Sequence, residues 1–588
     1  MNPLRSARHF VKHVREEGWK SIPPLLSLRW IALMNRPILR REASYRAAEE
    51  ARYQTWIRRQ EPDKTERARQ GAHRFPDGLS FLIPTYNTRP ELLRALVDSL
   101  LAQTCPQWEA CLYDGASPSE ETRRALRAEA ARDERIRVEF GTENTGISGN
   151  TNRALAMARF PWVALADHDD LLTPDAVYCV LRAAEDGADM IYSDEDKCDE
   201  AGKHFFDPHL KSDFAPDTLR SGNYICHLMA MKKDLMVRAG ALRGEYDGSQ
   251  DHDLALRASE LAGKITHIPR ILYHWRMLGT SVSHQAAARC VGAAVRAVED
   301  QQRRLGLPGH AYMDELRVRI ACEVSPDAAV SLIVAGCGKD AQAYLTRLSR
   351  RVTHAPAEVL TADAGETPLS ACGQACERIR GGGGLFEKLN LAAQKARGEY
   401  LLFILREVMP QSGTFVQEML EYAQRPDVGC VGTALMDRRC RYLHAGYAVD
   451  VPGGVVSHQA GAWLYANPYM LTDRIVRNVT AVSAGLMMIR RDTFLRLGGF
   501  GDFTNDLAAV SLGIRCLDAG LLNVFTPYAR AVCPRLPPPC LTEPVRGEEL
   551  ARFRAWAGEH PKERYYSPLF EKKVGRMSLD TGRMEERL

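Results

Sequence analysis

The second half of this chain repeats the first, and a fold that must hold twice is tightly constrained. Gly146 falls on Gly384, Asn152 on Asn390 and Ala158-Arg159 on Ala396-Arg397, all displaced by 238 residues. The apolar run Trp162–Ala166 lands on Tyr400–Ile404 at the same displacement. A second block is displaced by 258: Leu228-Met229 on Leu486-Met487, Asp234 on Asp492, Gly240 on Gly498, Leu254 on Leu512, Arg257 on Arg515 and Pro269 on Pro527. Neither block needs an internal gap. Two copies are expected, at about 75–310 and 325–545, between a basic helical region (1–74) and a C-terminal extension (546–588) packed on the second copy.

Each copy reads as α/β. In the first, strand Leu79–Pro84 precedes helix Pro90–Gln103, and strand Trp108–Tyr113 precedes helix Ser119–Asp133. Strand Ile136–Glu139 leads through the small-residue loop Gly146-Ile-Ser-Gly into helix Asn150–Arg159. Strand Trp162–Ala166 then ends in Asp167-His-Asp-Asp. Alternation of this kind predicts a mainly parallel sheet with helices on both faces. Ligands bind such sheets at the carboxyl ends of the strands. Carboxylates gathered there without a basic neighbour suit a hard divalent cation, Mg²⁺ or Mn²⁺. The alternative is a solvated strand end.

The repeat supplies an internal control. Asp167 is matched by Leu405, Asp169 by Glu407, Asp251 by Ala509, Asp253 by Ser511 and His274 by Val532. Scaffold positions persist while acids vanish, so the second copy is expected to keep the fold without the metal. Glu407 alone is a poor substitute, because a single carboxylate holds such ions weakly. Asn152 persists as Asn390 and reads as structural.

Bulk properties exclude several classes. A net charge of +4 over 588 residues gives no argument for nucleic acid. The 15 cysteines show no CxxC pair and read as reduced core residues of a cytosolic protein. No run approaches the roughly 20 apolar residues of a membrane span, and no apolar segment of signal-peptide type follows the basic N-terminus. Residues 1–41 carry nine Lys or Arg against Glu16 and Glu17, interleaved with Phe10, Trp19 and Trp30. They read either as a peripheral contact with an anionic inner membrane face or as a helical collar on the first copy.

Seven motifs of the first copy, in order, are LIPTYN (82–87), YDGAS (113–117), NTGISGNTN (144–152), ADHDD (166–170), SDEDK (193–197), QDHDL (250–254) and YHWR (273–276). Together they resemble the family 2 glycosyltransferases of bacterial surface-polysaccharide and O-antigen assembly. Residues 325–570 resemble a degenerate module of the same family through YLHAGY (442–447), RNVTAVSAG (477–485), LGGF (497–500) and TPYAR (526–530). The resemblance implies two tandem GT-A modules, Rossmann-like and mainly parallel, behind an N-terminal helical segment.

It also implies roles. Asp167 and Asp169 match the family's Asp-x-Asp, with Asp169 the direct metal ligand and Asp170 a cap on the next turn. Asp251 stands where the family carries its base. Asp253 reads as an orienting or capping residue. Pro84, Thr85, Tyr86 and Asn87 seat the nucleotide, and Asp114 accepts from a pyrimidine N3–H. The family's second acid there is Gly115 in this chain, which leaves the base open. Gly146, Ser148 and Asn150 offer a close backbone approach to the donor, beside His168. Arg276 is placed to clamp the diphosphate, and His274 to ligate metal or phosphate. Asp194, Asp196, Asn223, His227, Gln250 and Trp275 fall at the sugar or acceptor pocket. The bland reading of 194–197 is a charged surface turn.

The expected activity is inverting, metal-dependent transfer of a hexosyl or deoxyhexosyl group. The donor is a UDP- or dTDP-sugar and the acceptor a glycan or lipid-linked oligosaccharide. Alternatives are a bifunctional polymerase with both copies active, or a non-catalytic sugar-nucleotide or glycan scaffold.

Overall fold

A computed structural model describes residues 36–278, 287–314, 317–337, 340–362, 367–381, 383–405, 408–450, 454–464, 470, 472–503, 505–533, 547–560, 563–570, 577 and 579–580. The basic segment 1–35 and Glu407 lie outside them. The chain divides into two units, Met1–Thr55 and Trp56–Leu588. The described part of the first is helical, within Arg36–Gln60. No helix among the described residues is long and apolar enough to cross a membrane.

The first sheet of the larger unit holds β1 (Leu79–Thr85), β2 (Trp108–Asp114), β3 (Ile136–Phe140), β4 (Trp162–Leu165), β5 (Leu171–Leu172), β6 (Met190–Cys198), β7 (Phe205–His209), β8 (Met229–Lys232) and β9 (Ile265–Arg276). Its order is β3-β2-β1-β4-β8-β6-β9-β5, with β7 beside β6. A hairpin of β10 (His310–Asp314) and β11 (Arg317–Ala321) follows. The second sheet holds β12 (Val330–Ala335), β13 (Glu358–Thr361), β16 (Glu377–Arg378), β17 (Tyr400–Leu405), β18 (Met409–Pro410), β19 (Val428–Met436), β20 (Tyr442–His444), β23 (Arg477–Asn478), β24 (Leu486–Arg490) and β25 (Leu522–Val532). Two hairpins, β14–β15 (370–375) and β21–β22 (447–457), stand outside it.

The second order, β16-β13-β12-β17-β24-β19-β25-β18 with β20 beside β19, reproduces the nine strands of the first and adds β23 beside β25. The duplication read from sequence is therefore a duplication of topology. Each sheet runs parallel through its first four strands and then turns antiparallel at β8 or β24.

Local sequence explains the elements. β1 is buried along its whole length, as strands covered on both faces must be. The helix Pro90–Leu101 opens on Pro, which needs no partner for a first-turn N–H. It lays Leu92, Leu93, Leu96, Val97 and Leu100 onto the sheet, each contributing about 1.5–3 kcal/mol by burial. One core lies on each face of the first sheet, and the second sheet has its own. The helix Glu548–Ala557 adds Phe553 and Ala557 to that second core.

The two modules also keep the same polar joints. Asn152 donates to the Leu242 carbonyl at 2.8 Å and accepts from the Leu242 N–H at 3.1 Å. Asn390 accepts from the Phe500 N–H at 3.0 Å. Arg257 donates to the Ala239 and Ala241 carbonyls, and Arg515 to those of Leu497 and Gly499. Ser80 donates to Glu109 at 2.7 Å, and Ser331 to Glu358 at 2.6 Å. Because Asn152 and Asn390 are joints rather than ligand contacts, Asn152→Ala and Asn390→Ala should each cost about 1–3 kcal/mol through stranded backbone groups. Denaturant midpoints check this, and Asn152→Ala should leave the nucleotide-sugar affinity unchanged.

Candidate active site

The strand ends of β1, β2 and β4 meet along one edge, where Leu79–Thr85 runs between Trp108–Asp114 and Trp162–Leu165. A small, half-open cleft lies there, lined by Leu82, Pro84, Ile147, Thr151, Leu165, Ala166, Asp167, His227, Leu242, Gln250 and Asp251. Asp167 reaches it directly after β4. Asp251 reaches it from the first turn of the helix Gln250–Leu261.

Asp167 sits among like charges. Burial raises its pKa first; His227 and His168 pull it down, while Asp169 and Asp251 push it up. Asp169 is one-quarter exposed, and its nearest basic group is His168, with Nδ1 at 3.9 Å. The third acid is different. Asp170 is buried and accepts from the Tyr273 hydroxyl at 2.6 Å and the Arg276 N–H at 2.7 Å. It ties β9 to the end of β4 rather than capping the next turn. Among the described residues Asp167 and Asp169 have no Arg or Lys partner, a donor set that a hard cation fits.

Asn223 Nδ2 donates to Asp251 Oδ2 at 2.9 Å. Cys226, His227 and Asp251 bring ligand-type atoms within 4.8 Å of one another, the group of this kind found among the described residues. His274 is not drawn into a group with Asp167 and Asp169. Its Nδ1 lies 2.5 Å from Asp196 Oδ1, and its ring packs on Phe205. Arg276 is engaged by backbone: Nε donates to the Asp169 carbonyl at 2.5 Å and Nη1 to the Glu200 carbonyl at 2.7 Å. That clasp occupies two of the donors a diphosphate clamp would use.

The end of the cleft nearest β1 and β2 is built from turns. Asn87 has a left-handed φ of 50° and donates its N–H to Ser117 Oγ at 2.8 Å. Both oxygens of buried Asp114 accept from Ser117, one from its N–H at 3.0 Å and one from its hydroxyl. Thr85 is buried, whereas Tyr86 is 44% exposed and free to meet a ligand. Gly146, Ser148 and Asn150 lie in the first turns of the helix Gly146–Met157, four residues earlier than the expected helix start. Gly146 has φ 78°, and a Cβ there would sit 2.7 Å from Asp247 Oδ2, so the close approach is to the protein's own carboxylate. Ser148 donates to that same Asp247 at 2.5 Å. Asp253 does not cap a helix; it pairs with Arg257 and Arg243 at 2.6 and 2.5 Å.

The 193–197 cluster is neither a surface turn nor a segment beyond a strand. It is the buried second half of β6. Register shifts at Ser193, Asp194 and Glu195 mark a bulge, a device that re-aims side chains. Asp194 meets His267 at 2.8 Å and Asp196 meets His274. Glu195, which the motif reading gives no role of its own, is the acid of the three that touches His227 of the cleft lining. It accepts the His227 N–H, contacts His209 at 3.1 Å and lies 3.8 Å from the fully buried Lys211 Nζ. Lys211 in turn donates to the His227 carbonyl at 2.8 Å. His227 stacks on Tyr273 at 4.9 Å, with Trp275 edge-on at 6.5 Å.

Burial opposes the Glu195 charge, but Lys211, His209 and His227 outweigh it and hold the carboxyl at about 2. Asp217, on the helix Pro216–Ser221, is held at about 2 against burial by Arg425 and Arg220. A depressed carboxyl stabilises the fold fully above its unfolded value and loses that contribution as pH falls through the folded one. Each group therefore contributes on the order of 2–3 kcal/mol, lost between about pH 4.5 and 2. Unfolding free energies measured across that window should fall steeply, and Glu195→Gln should flatten the slope.

Sheet register exposes a wider loss in the second module than sequence did. Asp196 pairs with His274 and Glu195 with Tyr273, while Met436 pairs with Val532 and Leu435 with Ala531. The counterparts of Asp194, Glu195 and Asp196 are thus Ala434, Leu435 and Met436. Gly485 replaces His227, and a Cβ there would meet Leu435 Cδ1 at 2.7 Å. An apolar side chain fills the place of the Glu195–His227 contact.

Residues 80–235 match the model of glycosyl transferase family 2. The chain is 32% identical over 483 residues to the uncharacterized protein y4gI of Sinorhizobium fredii, covering 77% of this chain and 52% of that protein. It is 28% identical over 550 residues to the O-antigen biosynthesis protein RfbC of Myxococcus xanthus, covering 88% and 42%. The chain spans about half the length of these curated relatives. Among solved structures, the mannosyltransferase PcManGT of Pyrobaculum calidifontis in complex with GDP-Man and Mn²⁺ is similar at 17% identity and TM-score 0.31, covering 45% of this chain and 75% of that one.

Proposed function

We propose that the family 2 glycosyl transferase domain this chain carries at residues 80–235 moves a sugar, with inversion, from a nucleoside-diphosphate donor to a glycan or lipid-linked acceptor of surface-polysaccharide assembly. The observation that carries this reading is the cleft where Asp167, at the end of β4, faces Asp251 on an independent helix.

The donor's base and ribose lie along the ends of β1 and β2, against Tyr86, Asn87 and Asp114. Asp167 and Asp169 would hold Mg²⁺ or Mn²⁺, and the bound ion would offset charge building on the departing diphosphate. Asp251 accepts the acceptor hydroxyl proton as that oxygen attacks the anomeric carbon. One C–O bond forms as the bond to the diphosphate breaks, and the configuration inverts. Asn223 holds Asp251 through one carboxylate oxygen. His227, Trp275 and Gln250 border the space the sugars would fill.

The second module is read as non-catalytic, because Leu405 and Ala509 stand where the first has Asp167 and Asp251. That weighs against a two-site polymerase. Residues 1–41 are read as the contact with an anionic membrane face that carries the acceptor. Screening the purified chain for metal-dependent binding and turnover of UDP-, dTDP- and GDP-sugars tests the reading. Turnover of one donor with Mn²⁺ supports it, and binding without turnover for any acceptor class points to the scaffold alternative.

A further inference from the structure

The two modules meet through the short helix Pro216–Ser221, and the contact is polar and buried. Asp217 is 3% exposed, and Arg425 of the second module donates to it at 2.5 Å. Asn478, on β23, donates to the same carboxylate at 2.8 Å and accepts the Asp217 N–H at 2.9 Å. Ser221 donates to the Val476 carbonyl at 2.8 Å, and the Asn478 N–H reaches Thr218 Oγ1 at 3.4 Å. The helix is thus fixed from the second module at both ends.

It also holds the start of the helix that carries Asp251. The His252 ring donates from Nε2 to the Leu219 carbonyl at 2.7 Å, and His252 is buried. Two residues beyond the helix, Asn223 donates to Asp251 itself. The residue read as the base and its immediate neighbour are therefore both held by one segment, 219–223. That segment is held in turn by Arg425, Asn478 and the Val476 carbonyl. Displacements of about 1 Å in a reacting group cost up to about 100-fold in rate, so a clamp here has kinetic weight.

We propose that the second module positions Asp251 of the first, with Arg425 and Asn478 acting through Asp217 and the 219–223 segment. This gives the silent copy a task that needs no ligand of its own, and it rests on the reading of Asp251 as the base. Arg425 and Asn478 are positioning residues that touch neither donor nor acceptor.

The test uses the full chain with Asn478→Ala, Arg425→Lys and, as a control for mere loosening of the second module, Ser331→Ala. Ser331 is buried on Glu358, away from the seam. Asn478→Ala and Arg425→Lys should lower kcat by roughly ten- to 100-fold, with donor KM unchanged. Hydrogen exchange should quicken over residues 246–256 in those two variants, while Ser331→Ala leaves kcat and that exchange at wild-type levels. Unchanged exchange over 246–256 in both seam variants, or an equal response in Ser331→Ala, overturns the proposal. Absence of wild-type turnover on every nucleotide sugar overturns the glycosyltransferase reading instead, and the exchange measurement still decides the clamp.

Discussion

Asp251→Asn should lower transfer by about 10²–10⁴-fold, the usual contribution of a positioned general base, while donor binding stays at its wild-type level. The geometry supports that split. Asp251 enters the cleft from the helix Gln250–Leu261, apart from the strand ends proposed to seat the nucleotide. Asn is nearly isosteric and keeps a polar contact with Asn223, so the fold should be undisturbed. The loss should fall on kcat, because the proton moves only as the acceptor attacks. Single-turnover transfer beside calorimetric titration of the donor measures both halves. Full activity in Asp251→Asn removes the base from this residue. A parallel loss of donor affinity moves Asp251 into the donor or metal site.

The scaffold was legible because duplication prints it twice. Alternating strands and helices, the Asn152/Asn390 pair and the Arg257/Arg515 pair are periodic or repeated features, visible without coordinates. Residues that act from outside the repeat's fixed spacing were hidden. The SDEDK acids read as pocket residues by resemblance, with a surface turn as the alternative, because charge normally marks solvent and nothing in the spacing announces a buried strand. Burying them required a bulge within β6 and the side chains of His267, His274 and Lys211, none of which is adjacent in sequence. Their absence from the second module was also invisible, since the register of β19 against β25, not the spacing of either repeat block, aligns Glu195 with Leu435. Arg276 illustrates the opposite error. A fork of donors beside an acidic motif resembles an anion clamp, yet two backbone carbonyls hold its Nε and Nη1 and only the buried Nη2 is left without a protein partner among the described residues.

Asp167→Asn and Asp169→Asn should abolish Mn²⁺-dependent turnover and at the same time leave the metal-free protein no less stable, with Asp167→Asn more stable than wild type. Burial first, then Asp169 and Asp251, raises the Asp167 pKa, so its charge is held against the fold. A carboxyl raised in the folded state stabilises it below its unfolded value and loses that advantage as pH climbs through the folded one. At neutral pH the charge is a cost that a neutral amide removes. A bound cation would remove the same cost, since desolvated like charges are tolerated when a counter-charge lies among them. The wild-type melting temperature should therefore rise with added Mn²⁺ by mass action. Both variants should lose that rise, and Asp167→Asn should begin from a higher baseline. A Mn²⁺ response that persists in Asp167→Asn and Asp169→Asn would place the ion elsewhere, with Cys226, His227 and Asp251 the next donors in reach. The Leu405 position already shows the metal-free solution: the same strand end, with an apolar residue in place of the acid, buried at 3% exposure.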